Sequence, residues 1–204
     1  VRYRWQAFLL LGLIATYRMS DTVMGVMANV FYIDQGFTKD QIASVSKLFG
    51  LVMTLVGAGF GGLLIVRFGI MPILFIGGAA SAATNLLFLM LTGMGADLQM
   101  LIVTISADNF SAGLATAAFV AYLSSLTNLK FSATQYALLS SIMLLLPRLI
   151  GGYSGVMVET FGYAQFFLVT AVLGVPTLIL IILQWRREQS RQDDARGVAP
   201  IEQE

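Results

Sequence analysis

Five ionisable side chains in this sequence stand inside long apolar runs: Arg18, Asp21, Lys47, Asp108 and Arg148. A charge at the centre of a bilayer costs several kcal/mol and seldom persists without a role, so these residues are the first candidates for function. Two of the five are carboxylates, and the chain has no histidine and no cysteine. Proton handling inside a membrane therefore falls to Asp21 and Asp108, because the side chain that normally titrates near neutrality is absent. The three basic residues outnumber the two acidic ones, which favours an anionic or zwitterionic solute.

Each buried charge also has a structural reading. Arg18 and Asp21 lie three apart on one helical face and can neutralise each other. Lys47 and Asp108 come from different runs and can form a pair. Arg148 follows Pro147, where a broken helical hydrogen bond leaves carbonyls that it can satisfy.

The elements that must carry these residues are set by composition. The chain is 57% hydrophobic and 11% charged, with a mean hydropathy of +0.81, whereas about a quarter of the residues of a globular domain are charged. This is the composition of an all-α membrane protein. Runs long enough to span a bilayer can be drawn at 5–33, 40–66, 71–93, 98–126, 132–158 and 163–185, giving a six-helix bundle over 1–187. The apolar run from Trp5 is too long for a cleavable signal peptide and lacks a small-residue cleavage site. The first residue is Val1 rather than Met, and the expectation is a segment of something longer. The charges between runs alternate: Arg2 and Arg4, then Asp34 and Asp40, then Arg67, Asp97, Lys130, Glu159 and finally Arg186, Arg187 and Arg191. Only Lys39 breaks the pattern. Basic loops stay cytoplasmic, which puts both ends inside and the Asp34, Asp97 and Glu159 loops outside. Residues 188–204 are polar and are expected to form a disordered cytoplasmic tail.

The runs repeat. "FTKDQIASVS" (Phe37 to Ser46) and "FSATQYALLS" (Phe131 to Ser140) share five residue types at an offset of 94, and "GGLLIVRFG" and "SGVMVETFG" align at an offset of 93. The slip of one residue is what a single insertion within a helix leaves. Thr38 and Ser132 each precede a Gln by three positions, the pattern of a capping box at a helix start. The first copy opens the second run outside and the second copy opens the fifth run inside. The result is a 3+3 inverted repeat, the arrangement nested in each half of a major facilitator transporter. Runs 1, 2, 4 and 5 hold the buried charges and should line a polar cavity, while runs 3 and 6 face lipid or neighbours.

Other chemistry has little support. Gly57, Gly59 and Gly62 match a dinucleotide fingerprint by accident, since no strand precedes them. Asn109 opens a glycosylation sequon that lies at mid-membrane. There is no nucleophile elbow, zinc-protease helix or phosphate loop, and neither a metal nor a cofactor is implied. A net charge of +1 makes no electrostatic case for a nucleic-acid partner.

The stretch "SADNFSAGLATAAFVAYLSSLTNLKFSATQYALLSS" (Ser106 to Ser141), with Tyr17 and Asp21, Lys47 and Gly50, and Arg148 and Gly151, resembles muropeptide permeases of the AmpG type. These are a branch of the major facilitator superfamily close to the acetyl-CoA transporter-like permeases. The resemblance covers about residues 1–187 and corresponds to the C-terminal six-helix half. It implies proton-driven import of anhydro-muropeptides, the sugar-peptide debris of cell-wall turnover, across a bacterial inner membrane. It further implies an N-terminal six-helix half as partner. The buried charges and the resemblance together make Tyr17, Arg18, Lys47, Asn109 and Arg148 substrate-cavity candidates beside the proton-carrier candidates Asp21 and Asp108. Gly62, Arg67 and Gly69 match the superfamily's cytoplasmic gating loop, with Val66 where an acidic residue usually stands. The alternatives are another bulky polar or anionic solute, such as an acyl-CoA, and a non-transporting structural subunit. A channel would need a continuous polar stripe, whereas these charges cluster at mid-depth.

The topology is directly testable because the chain lacks cysteine. Single cysteines replacing Gly36 and Gly95 are expected to react with an impermeant maleimide from outside, and ones replacing Phe68 and Leu129 are not; reversed labelling overturns the orientation.

Overall fold

The computed structural model describes residues 2–126 and 132–197. Among them there is no strand; the elements are α1 (Arg2–Thr16), α2 (Met19–Asp34), α3 (Lys39–Val45), a π-helical turn (Ser46–Gly50), α4 (Leu51–Phe68), α5 (Ile70–Met94), α6 (Leu98–Leu126), α7 (Ser132–Gly151) and α8 (Ser154–Gly197). Among the described residues, five helical stretches are long and apolar enough to cross a membrane: Lys39–Phe68, Ile70–Met94, Leu98–Leu126, Ala133–Gly151 and Ser154–Ser190. The protein is an all-α, multi-pass membrane protein.

The first expected run, 5–33, is divided at Tyr17 and Arg18 into pieces of 15 and 16 residues. The helical hydrogen bonds Tyr17 N to Leu13 O and Thr22 N to Arg18 O flank the break. Arg18 itself sits at φ −94°, ψ 8°, outside the regular helical well. The break falls where two neighbouring side chains are held by different partners, as described below. The fifth expected run, 132–158, is likewise interrupted: α7 ends at Gly151, and Ser154 resumes the helix. At the C-terminal end α8 continues to Gly197, where the sequence reading placed a tail from 188. Glu188, Gln189, Arg191, Gln192, Ala195 and Arg196 there are good helix formers, so a helix already started by the span extends through it.

Local signals set the element ends. Thr38 caps α3 through a full capping box, with Gln41 N donating to Thr38 Oγ1 at 3.2 Å and Thr38 N donating to Gln41 Oε1 at 2.9 Å. The matching cap at Ser132 lies outside the described side chains. Asp97 accepts from the Gln99 and Met100 amides at 2.8 and 3.0 Å and so starts α6. Gly69 (φ 88°, ψ 173°) and Gly162 (φ 81°, ψ 167°) make the turns between α4 and α5 and within α8. Both use the positive-φ region that glycine enters without a Cβ penalty, and they are the aligned pair of the repeat. A residue with a side chain at either turn would be strained.

The packing repeats as well. α4 and α5 both pack on α6, α7 and α8 both pack on the α1–α2 pair, and α5 packs on α8. Exchanging the first three crossings for the last three leaves this pattern unchanged, as an inverted repeat requires. Two buried clusters fill the bundle. One is built around Leu13, Ile14, Leu74, Phe119 and Tyr122, and the other around Phe31, Phe88, Leu101, Phe166 and Phe167.

Helix separations are set by glycine. A Cβ on Gly57 would stand 2.1 Å from Phe110 O, one on Gly113 2.2 Å from Thr54 O, and one on Gly77 2.8 Å from Ala115 Cα. Without a hydrophobic force between helices in lipid, such close approach supplies the dispersion contact. Gly155, by contrast, has nothing within 4 Å. Gly57→Ala and Gly113→Ala are therefore expected to lower thermal stability in detergent by about 1–3 kcal/mol or more. Gly59→Ala, which would meet nothing within 4 Å, is the control and should change it by less than about 0.5 kcal/mol.

Candidate functional site

The α6 helix carries the centre of the site because its neighbours approach it so closely. Asp108 lies 11 residues in from Asp97, or roughly 16 Å at 1.5 Å per residue. Thr84 of α5 donates to Asp108 Oδ1 at 3.3 Å. Two turns further along α6, Thr116 accepts from Arg18 Nη1 at 2.9 Å. Arg18 Nη2 also pairs with Asp21 Oδ2 at 2.8 Å, with the two side chains 24% and 13% exposed. One guanidinium thus couples α1–α2 to α6 and compensates one of two carboxylates, while the second carboxylate holds only a hydroxyl.

Beneath this group lies a fully buried polar layer. Asn85 Nδ2 donates to Ser20 Oγ at 2.8 Å, and Ser20 Oγ donates to Thr170 O at 2.7 Å. This layer ties α5, α2 and α8 together at the level of Asp21, so the salt bridge stands on a rigid base. Asn85 is fully buried and serves this packing layer.

Asn109, next to Asp108, belongs to a second group. Its Nδ2 donates to Ile105 O at 2.8 Å, its Oδ1 accepts from Thr54 Oγ1 at 3.1 Å, and Gly50 lies against its amide. Lys47 is exposed in the π-helical turn just before Gly50. Among the described residues no carboxylate lies within ion-pair distance of it, so the Lys47–Asp108 pair considered from sequence does not form.

The structure places the remaining candidates apart from these groups. Tyr17 is 6% exposed, stacks on Phe119 with ring centroids 4.4 Å apart, and donates its hydroxyl to Leu74 O at 3.1 Å. It is buried in the core beside the α1–α2 break. Its neighbour Arg18 is drawn instead to Asp21 and Thr116, which explains the break between them. Arg148 is exposed on α7 and lines an open groove with Ser141, Leu144, Leu145 and Leu149. Among the described residues its side chain makes no hydrogen bond to the carbonyls near Pro147. Gly62 and Arg67 are exposed, with the Arg67 guanidinium 5.4 Å from the Phe68 ring centroid, and Gly69 supplies the turn. Thr54, Thr84 and Thr116 were missed by sequence reasoning. Their spacing gave a signal, since each is a hydroxyl in an apolar span at the depth of a charge.

Residues 9–202 match the family model of the Major Facilitator Superfamily. The chain belongs to the Major Facilitator Superfamily. Among its relatives, a protein named putative transporter AmpG 4 from Rickettsia conorii is 38% identical over 166 residues, covering 81% of this chain and 40% of that protein. The putative transporter AmpG 1 of Rickettsia prowazekii is 31% identical over 182 residues, 89% of this chain and 41% of the relative. The anhydromuropeptide permease of Escherichia coli is 34% identical over 181 residues, 88% of this chain and 37% of the permease. The chain thus spans about two-fifths of the length of these relatives. Its resemblance to permeases of the AmpG type is borne out.

The Arg18–Asp21 pair gives a stability prediction. Arg18→Ala alone leaves a carboxylate without its cation inside the membrane and should destabilise the fold more than Arg18→Ala combined with Asp21→Ala. The expected coupling in a double-mutant cycle of thermal unfolding is about 1–3 kcal/mol; independent effects would show that the pair is not formed.

Proposed function

We propose that this chain is half of a secondary active transporter that imports anhydro-muropeptides by proton coupling and alternating access. The observation that carries the reading is the arrangement of Arg18, Asp21, Thr84, Asp108 and Thr116: two carboxylates and one guanidinium at mid-depth. Protonation of Asp108 would leave Arg18 wholly engaged with Asp21, and its loss would set a second carboxylate in competition for the same cation. Such a cluster can trade a proton for a rearrangement of α1–α2 against α6. The solute class is supported by the relatives' printed names, one of which is an anhydromuropeptide permease. Cationic side chains at Arg18, Lys47 and Arg148 fit the carboxylates of a sugar-peptide.

The partner in this reading is a second six-helix bundle, the N-terminal half of the same transporter. It would cover the charged face with a water-filled cavity, and rocking of the two halves about a mid-depth site would expose that site to each side in turn. The membrane is a bacterial inner membrane, with both ends of this segment cytoplasmic in accord with the positive loops.

In vesicles holding the full-length transporter, Asp108→Asn and Asp21→Asn are expected to abolish uptake of radiolabelled anhydro-muropeptide driven by a pH gradient. Exchange of labelled for unlabelled solute without a gradient should survive in Asp108→Asn. Uptake that remains fully gradient-driven in both variants would place proton coupling elsewhere.

A further inference from the structure

The π-helical turn interrupts the longest apolar element of the first repeat, Lys39–Phe68. Within it the Leu51 amide donates to Ser46 O, five residues back rather than four. A π turn of this kind is one residue too many absorbed into a helix. The sequence repeat records the same event, because the offset between copies falls from 94 at Phe37–Ser46 to 93 at Gly61–Gly69. The turn lies between these stretches, and α7 holds no such turn at the corresponding place.

The turn decides where Lys47 points. In a regular helix Val45, five residues before Gly50, would lie about 140° around the axis from it. Both are nevertheless buried, with Gly50 against Asn109 of α6 and Val45 in the cluster that contains Leu101 and Ile105. In a regular helix Lys47, seven residues before Thr54, would share Thr54's face to within about 20°. That face is packed on α6: Thr54 meets Asn109, and Gly57 meets Phe110. Lys47 is instead exposed, and it lines a groove of about 350 Å³ with Asn29, Ile33, Lys39, Ile42 and Ser46. The groove wall contains two lysines and no carboxylate.

We propose that the π turn is a positioning device that swings Lys47 out of the α4–α6 seam to bind an anionic group of the solute. Thr54 and Asn109 are the positioning residues that hold it. The Thr54 hydroxyl lies 2.9 Å from Gly50 O and 3.1 Å from Asn109 Oδ1 and shares its single proton between these two acceptors, which sets the C-terminal edge of the turn beside α6. The Lys47 ammonium has no carboxylate partner among the described residues, so a carboxylate or phosphate of the solute gains a charge-assisted contact without displacing a protein group. This role rests on the transporter reading above, whereas the placement of Lys47 does not.

The experiment uses the full-length transporter in a cysteine-free background. A cysteine at position 47 is expected to react with a membrane-impermeant maleimide, since a thiol in lipid or in a helix seam does not form the reactive thiolate. Thr54→Val in the same protein should slow that reaction about tenfold by releasing the turn. Lack of labelling at position 47 overturns the placement whatever the solute is. For the role, anhydro-muropeptide is expected to protect the position 47 thiol. Lys47→Gln should raise the KM for uptake about tenfold with the maximal rate retained, the mark of a lost binding contact, and Thr54→Val should raise it in the same direction. An unprotected thiol, or an unchanged KM in Lys47→Gln, overturns the role. An unaltered transporter that fails to take up the solute counts against the choice of solute and leaves the labelling result standing.

Discussion

A charge at mid-membrane depth must find a partner or water, because hydrocarbon offers it neither. That constraint governs the whole arrangement. Arg18 meets it by holding Asp21 and Thr116 together, and Asp108 meets it through Thr84. Lys47 and Arg148 meet it in another way, by pointing away from the bundle's own core. Both are exposed in grooves of their own, Lys47 beside α2 and α3 and Arg148 along α7.

Holding those charges requires close helices, and the chain achieves this with backbone contact rather than bulk. Gly57 and Gly61 on α4 and Gly113 on α6 bring two helices near enough for Thr54 to reach Asn109. Gly77 does the same for α5, which brings Thr84 to Asp108. The inverted repeat supplies the plan: each triplet packs on the first helix of the other. Function departs from that plan. The π turn in the first triplet has no counterpart in α7, and Asp21 and Asp108 occupy unrelated positions in the two copies.

Much of this was legible in the sequence, for physical reasons that differ from element to element. Membrane class followed from composition, and the helix start at Thr38 followed from capping chemistry that acts over three residues. The turns at Gly69 and Gly162 could be aligned because only glycine is comfortable at their dihedrals. The Arg18–Asp21 pair was readable from i, i+3 spacing. Tyr17 was not, since its neighbours Leu74 and Phe119 come from distant segments and its ring could equally have faced a cavity. The division of the first run at Tyr17 and Arg18 has the same origin, in tertiary contacts that no local pattern encodes. The one-residue slip between repeats announced an insertion, but only the fold shows that a π turn absorbs it and which way Lys47 then points. Thr54, Thr84 and Thr116 stayed hidden because a hydroxyl in an apolar helix usually bonds its own backbone.

The proposed coupling requires that protonation of Asp108 change how Arg18 holds Asp21 and Thr116. Its most direct test is proton movement itself. Purified full-length transporter, sealed into vesicles with a pH-sensitive dye inside and no imposed pH gradient, receives anhydro-muropeptide outside. The account predicts that the interior acidifies as the solute enters, and that the acidification is lost with Asp108→Asn. Solute entry at the normal rate with no change in internal pH would contradict it.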